Sequence, residues 1–189
     1  MLYKKDREKI LFFRESSFRV ASLIFNYPHK IFHLRKLAKE TGFSTTAVSD
    51  VIDELERFKI VEVEKTDITL NIRADLESEA YRFYKKIFNL YRLERWGIVE
   101  HLREAFQAKA IVLFGSFAKG EDIEQSDIDI LILTNRKKSK ESEKFSVLCE
   151  KELNRNLNLH LLPSLDRSSP EFKNAVANGT VLYGYVKII

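Results

Sequence analysis

A chain of 189 residues, 44% apolar and 32% charged, has room for one large domain or two small ones and the balance of a soluble folded protein. No stretch approaches the ~20 uninterrupted apolar residues that span a bilayer. The N-terminus carries Lys4, Lys5, Asp6, Arg7, Glu8 and Lys9 where a signal core would be apolar, so a cytoplasmic protein with no membrane partner is expected. A single cysteine, Cys149, excludes an internal disulfide and a multi-thiolate zinc site.

The net charge of +4 is unevenly laid out. Residues 1–39 carry ten Lys/Arg against three Asp/Glu, residues 40–81 four against eleven, and residues 82–106 six against three. Nucleic acid or another polyanion can use the two basic stretches; solvated helix faces account for the same pattern.

From Arg19 to Asp75 the spacing predicts three short helices and a hairpin. Val20, Leu23 and Ile24 make one apolar stripe, Leu34, Leu37 and Ala38 a second, and Val48, Val51, Ile52 and Leu55 a third. Between the second and third, Gly42 permits a sharp turn and Ser44 is suited to cap the next helix. Val61 and Val63 alternate with Glu62 and Glu64, and Ile68, Leu70 and Ile72 with Thr69 and Asn71, giving two strands joined through Lys65-Thr66-Asp67. The segment resembles a winged helix-turn-helix domain. Ser44, Thr45, Thr46 and Ser49 at the start of its third helix are candidates to read base edges. Arg35 and Lys36, with the basic residues between Lys4 and Arg19, are candidates for the phosphate backbone of duplex DNA. Against that, Asp50, Asp53, Glu54 and Glu56 outnumber Arg57 and Lys59 along the helix and would repel phosphate. Protein contact is the competing use.

A long helical connector follows, with Ala80, Tyr84, Ile87, Phe88 and Tyr91 expected on one buried face. Packing on its own chain and a homodimer seam both explain such a stripe. Trp96-Gly97 interrupts it, and Ile98, Val99, Leu102 and Phe106 form a second amphipathic piece. From Ala110 strands and helices alternate: strands at Ala110–Phe114, Ile128–Leu133, Leu157–Leu162 and Val181–Val186, helices at Ser139–Leu153 and Pro170–Ala177. The expected boundaries are 1–75, 76–106 for the connector, and 107–189.

The chemistry concentrates in residues 114–133. Phe114-Gly115-Ser116 reads as a strand running into a tight turn whose amides can hold phosphate, Gly115 allowing close approach and Ser116 adding a hydroxyl. Lys119, one turn on, can add a cation. Asp127 and Asp129, one residue apart at a strand, leave the same face while Ile128, Ile130 and Ile132 enter the core. Two bare carboxylates ~4 Å apart repel by about 4 kcal/mol at an effective dielectric near ~20, which a divalent cation offsets. Magnesium suits them, since it takes carboxylate, water and phosphate oxygens. A surface turn rich in Gly, Ser and Asp, with Ser126 merely capping it, is the bland alternative.

Gly115-Ser116, Gly120 and Ser126-Asp127-x-Asp129 resemble the signature of the nucleotidyltransferase superfamily with the DNA polymerase β fold, in particular the minimal nucleotidyltransferases of archaea and bacteria. Pro170-Glu171-Phe172 through Asn178-Gly179-Thr180-Val181-Leu182-Tyr183-Gly184 also resembles the tail of such domains. The whole chain is similar to archaeal proteins that pair a winged helix with this domain. The resemblance implies an α+β architecture: an N-terminal winged helix-turn-helix, a helical connector, and a C-terminal mixed sheet with flanking helices. It implies transfer of a nucleoside monophosphate from a nucleoside triphosphate to an acceptor, with release of pyrophosphate and two Mg²⁺ ions held by Asp127 and Asp129. Gly115, Ser116, Lys119 and Ser126 would bind the nucleotide.

One departure stands out. The family's active members carry a third carboxylate on a later strand, and here that strand reads Leu157-Asn158-Leu159-His160-Leu161-Leu162. Asn158 offers only a neutral carboxamide, His160 can ligate metal or accept a proton, and Asp166 lies beyond Pro163. Three functions therefore compete: a transferase, a DNA-binding regulator whose nucleotidyltransferase domain only senses nucleotide, and an antitoxin-like subunit paired with a helical toxin.

Overall fold

The computed structural model describes residues 14–66, 69–137 and 140–187. The basic residues from Lys4 to Lys9, the turn residues Asp67 and Ile68, and Ser139 lie outside the described residues. The chain divides into two compact units between Tyr81 and Arg82.

The first unit contains α1 (Glu15–Asn26), β1 (Phe32–His33), α2 (Leu34–Thr41), α3 (Thr45–Arg57), β2 (Val61–Lys65) and β3 (Leu70–Ala74). Val20, Ile24, Leu37, Val48, Val51, Ile52 and Leu55 are all buried, as their helical spacing requires. Gly42 ends α2 at φ +78°, and the Ser44 hydroxyl accepts a hydrogen bond from the Ala47 amide at 3.2 Å, capping α3. The sheet has three strands in the order β1-β3-β2, all antiparallel. The third strand, β1, was not expected: two residues are too short to show alternation, and only the pairing of Phe32 with Ile72 defines it.

The second unit contains most of α4 (Glu79–Arg95), then α5 (Ile98–Phe106), β4 (Ala110–Phe114), α6 (Gly115–Lys119), β5 (Ile128–Leu133), α7 (Lys140–Leu153), β6 (Leu157–Leu162), α8 (Pro170–Ala177) and β7 (Thr180–Gly184). The mixed sheet runs β6-β5-β4-β7, with β5 and β6 parallel and the other pairs antiparallel. On one face Ile111, Leu113, Ile128, Ile130, Ile132, Leu157 and Leu159 join Leu93, Ile98, Leu102, Phe106, Cys149 and Leu153 from the helices. On the other face Val112, Phe114 and Leu131 pack with Leu165 and Val176, backed by Phe172. This is an α+β architecture, a mixed sheet with flanking helices. Among the described residues no helix is long and apolar enough to cross a membrane.

The buried face of α4 differs from the expected stripe. Ile87 and Tyr91 are exposed, with Phe83, whereas Tyr81, Lys85, Phe88, Asn89 and Leu93 are buried. Apolar periodicity misjudged the rotation of the helix because two of the inward positions are polar, and their partners lie far along the chain.

Burial pushes the Cys149 thiol up to about 11, and the neighbouring Glu150 carboxylate adds to the shift. A disulfide-exchange reagent at pH 8 should therefore modify the native protein about a hundredfold more slowly than the denatured chain. Equal rates would show that Cys149 does not pack from α7 into the core against the sheet.

Candidate active site

The end of β4 and the start of β5 face each other across an antiparallel pair in which Phe114 lies opposite Asp129. The chain leaves β4 in extended conformation and turns at Gly115, whose φ of +76° falls in the left-handed region. A Cβ at Gly115 would stand 2.7 Å from the Asp129 Oδ2. The bend and the carboxylate are thus in direct contact, and the absence of a side chain at position 115 is what lets them meet.

Asp127 and Asp129 flank the buried Ile128 and are both partly open to solvent. Each carboxylate is held by a carboxamide: Asn156 Nδ2 donates to Asp127 Oδ1 at 3.1 Å, and Asn158 Nδ2 donates to Asp129 Oδ1 at 2.9 Å. The parallel register, in which Asp129 pairs with Asn158 and Ile128 with Leu157, produces this match. A two-residue repeat of acids on one strand meets a two-residue repeat of carboxamides beside it. Sequence reasoning singled out Asn158 but missed Asn156; the available signal was the shared period of Asp-x-Asp and Asn-x-Asn on neighbouring strands.

His160 lies on the same face. Its Nε2 is 3.5 Å from Asp129 Oδ1, and its ring joins those of Phe114 and Phe172 in a three-ring cluster with centroids 5.2 to 5.4 Å apart. It is a neighbour of Asp129 rather than an occupant of a separate position. Asp166, in the loop after β6, accepts from the Ser164 hydroxyl at 2.8 Å. Lys119 is exposed at the end of α6, and Ser116 is half-buried in its first turn. The Ser126 hydroxyl accepts from the Ile123 amide at 2.9 Å and closes the turn before Asp127. Beyond Asn156 a cleft of about 220 Å³ opens, lined by polar side chains including Gln125, Glu150 and Asn154.

The donor set can be tested against magnesium. Among the described residues no cluster of three or more His, Cys, Asp or Glu could hold a metal. The two carboxylates are nevertheless of the right kind: Asn156 and Asn158 each engage one oxygen, and the second oxygen of Asp129 faces the Gly115 bend. A hard cation that retains water and takes phosphate oxygens fits such a pair, with the polyphosphate completing its shell. In the first unit Arg35, Lys36, Thr45 and Thr46 are exposed, Ser49 is half-buried, and the Ser44 hydroxyl is engaged as a cap. Lys36 lies 4.0 Å from Glu40.

Residues 97–183 match the family model described as a nucleotidyltransferase domain. Over 31 residues the chain is 52% identical to MJ1379 of Methanocaldococcus jannaschii, a candidate protein adenylyltransferase; the match covers 16% of this chain and 31% of that protein. The chain thus spans about a third of the length of that relative. A solved mutant of the toxin-antitoxin MntA-HpeT is 22% identical, covering 47% of this chain and 70% of that one, with a TM-score of 0.36. A solved toxin-antitoxin with AMP-PNP is 25% identical, covering 47% and 71%, with a TM-score of 0.37. Residues 97–183 are a nucleotidyltransferase domain.

The contact at the bend has a measurable consequence. Gly97, at φ +60°, has no atom within 4 Å of a Cβ position, so Gly97→Ala bears backbone strain alone, about 1–2 kcal/mol. Gly115→Ala should cost more in denaturant unfolding, by about 1 kcal/mol or above, because the Asp129 carboxylate must also move. Equal losses for the two variants would contradict the close approach.

Proposed function

We propose that the chain transfers a nucleoside monophosphate from a nucleoside triphosphate to an acceptor hydroxyl, in a Mg²⁺-dependent reaction. The observation that carries this reading is the contact between Asp129 and the Gly115 bend. It supports a site in which Asp129, with Asp127 two residues before it, lies beside a polyphosphate held by the amides of Gly115 and Ser116. Lys119 would add a cation to the phosphates. Asp127 and Asp129 would hold the metal, Asn156 and Asn158 would keep the carboxylates turned toward it, and Ser126 would brace the turn that presents Asp127.

In the reaction the acceptor oxygen forms a bond to the α-phosphorus, the α–β bridging bond breaks, and pyrophosphate departs. Mg²⁺ bound there supplies neutralisation of the phosphate charge and a lowered pKa for the attacking hydroxyl. His160, beside Asp129, is the group suited to take the hydroxyl proton in place of a third carboxylate. The stretch shared with a candidate protein adenylyltransferase favours ATP as donor and a protein side-chain hydroxyl as acceptor.

The first unit, residues 1–75 in this reading, is a winged helix-turn-helix domain joined through the connector 76–106 to the transferase domain 107–189. Three helices and a small antiparallel sheet in the order α1-β1-α2-α3-β2-β3 support it. Exposed Asp50, Asp53 and Glu56 along α3 favour protein contact over duplex DNA, since they would repel phosphates. This fits a role in recognising the protein that is modified.

Pyrophosphate release with Mg²⁺ and ATP, in the presence of a cell extract as acceptor source, tests the reading. Asp129→Asn should lower the rate about a hundredfold or more, equivalent to about 2.7 kcal/mol of barrier. Asn158→Ala should lower it about tenfold, as expected for a group that orients a metal ligand. Binding of Mg²⁺ and ATP without turnover would favour the sensing alternative, and no binding at all would refute both.

A further inference from the structure

Between α6 and β5 the chain crosses residues 120–127 without regular structure, and one polar cluster holds this loop from beneath. Asp122 is 2% exposed. Asn89 Nδ2 donates to Asp122 Oδ1 at 2.7 Å and to the Phe117 carbonyl, inside α6, at 3.0 Å. Lys85 Nζ donates to the main-chain carbonyl of Asp122 and lies 3.5 Å from its carboxylate. Arg155, at the approach to β6, stands 4.0 Å from the same carboxylate. Gly120 completes the arrangement: at φ +75°, its Cβ would fall 2.2 Å from the Arg82 carbonyl, so the loop backbone rests directly on α4.

Such a cluster is a poor way to gain stability. Burial drives the Lys85 ammonium below its ordinary pKa, opposed by the Asp122 carboxylate. Apolar residues of the same volume would do as well or better for folding free energy. What a polar cluster supplies and an apolar one does not is direction. Here Lys85 and Asn89 both bond to the stretch between the phosphate-holding bend and Asp127, while Ile123 and Gln125 in that stretch face solvent. The loop has little core of its own to fix it.

We propose that Lys85 and Asn89, acting through Asp122, are positioning residues that set the separation between the Gly115-Ser116 bend and the Asp127/Asp129 pair. The proposal rests on the nucleotidyl-transfer reading above. Neither residue touches the substrate. They determine whether amides and carboxylates can engage one polyphosphate together, a geometry in which errors of about 1 Å cost around 10²-fold in rate.

The test is a set of full-length variants. Asn89→Leu keeps the shape of the side chain and removes both of its bonds. Lys85→Met/Asp122→Leu/Arg155→Met replaces all three buried charges of the cluster with apolar groups, so that none is stranded as a single change would leave it. Calorimetry uses Mg²⁺ with an ATP analogue bearing a methylene between the α- and β-phosphorus. Affinity should fall about tenfold in each variant, with stoichiometry and melting temperature near those of the parent chain. Loss of folded protein would instead lower stoichiometry and leave the affinity of the remainder unchanged, and that outcome overturns the proposal. So does parental affinity in well-folded variants. If the parent chain itself fails to bind the analogue, the transfer reading fails, and amide hydrogen exchange over residues 117–126 decides the positioning claim separately. Faster exchange confined to that loop in both variants supports it, and unchanged exchange overturns it.

Discussion

Everything proposed for the second unit depends on the approach of the Asp129 carboxylate to a backbone turn that has no side chain. Antiparallel pairing of β4 with β5 puts Phe114 opposite Asp129, and the next residue must then turn away within reach of that carboxylate. Only glycine satisfies both the positive φ and the 2.7 Å spacing. The bend, the short helix after it and the acid pair form one structural unit, because the strand pairing that creates the turn also positions the acid.

The second constraint is the parallel pairing of β5 with β6. It aligns two carboxylates with two carboxamides, so each acid has a donor that fixes its orientation. Asn156 and Asn158 are neutral, so they hold the two acids without adding negative charge to the site. His160 lies close to Asp129 on that face and packs with Phe114 and Phe172 in a three-ring cluster.

The third element is α4, whose buried surface is partly polar. Tyr81, Phe88 and Leu93 behave as an ordinary apolar stripe, but Lys85 and Asn89 on the same face answer to a loop carbonyl, a helix carbonyl and a carboxylate. Directional bonds at these positions define one rotation of the helix and one conformation of the loop. An apolar contact would tolerate several.

The local features of this protein were legible in the sequence. The helical stripes of α1 to α3, the Gly42 turn with its Ser44 cap, the order of strands and helices from β4 to β7, and the common face of Asp127 and Asp129 follow from periodicity and backbone chemistry within single segments. Relations between segments were not legible. The two-residue β1 exists only through its pairing with β3, and the partner of Asp127 comes from a position 29 residues away. The inward face of α4 is set by Asp122, 37 residues beyond Lys85. A segment's own pattern records which side of it is apolar. It does not record which polar groups another segment will bring within hydrogen-bonding distance, and that was decided by strand register and packing in the folded chain.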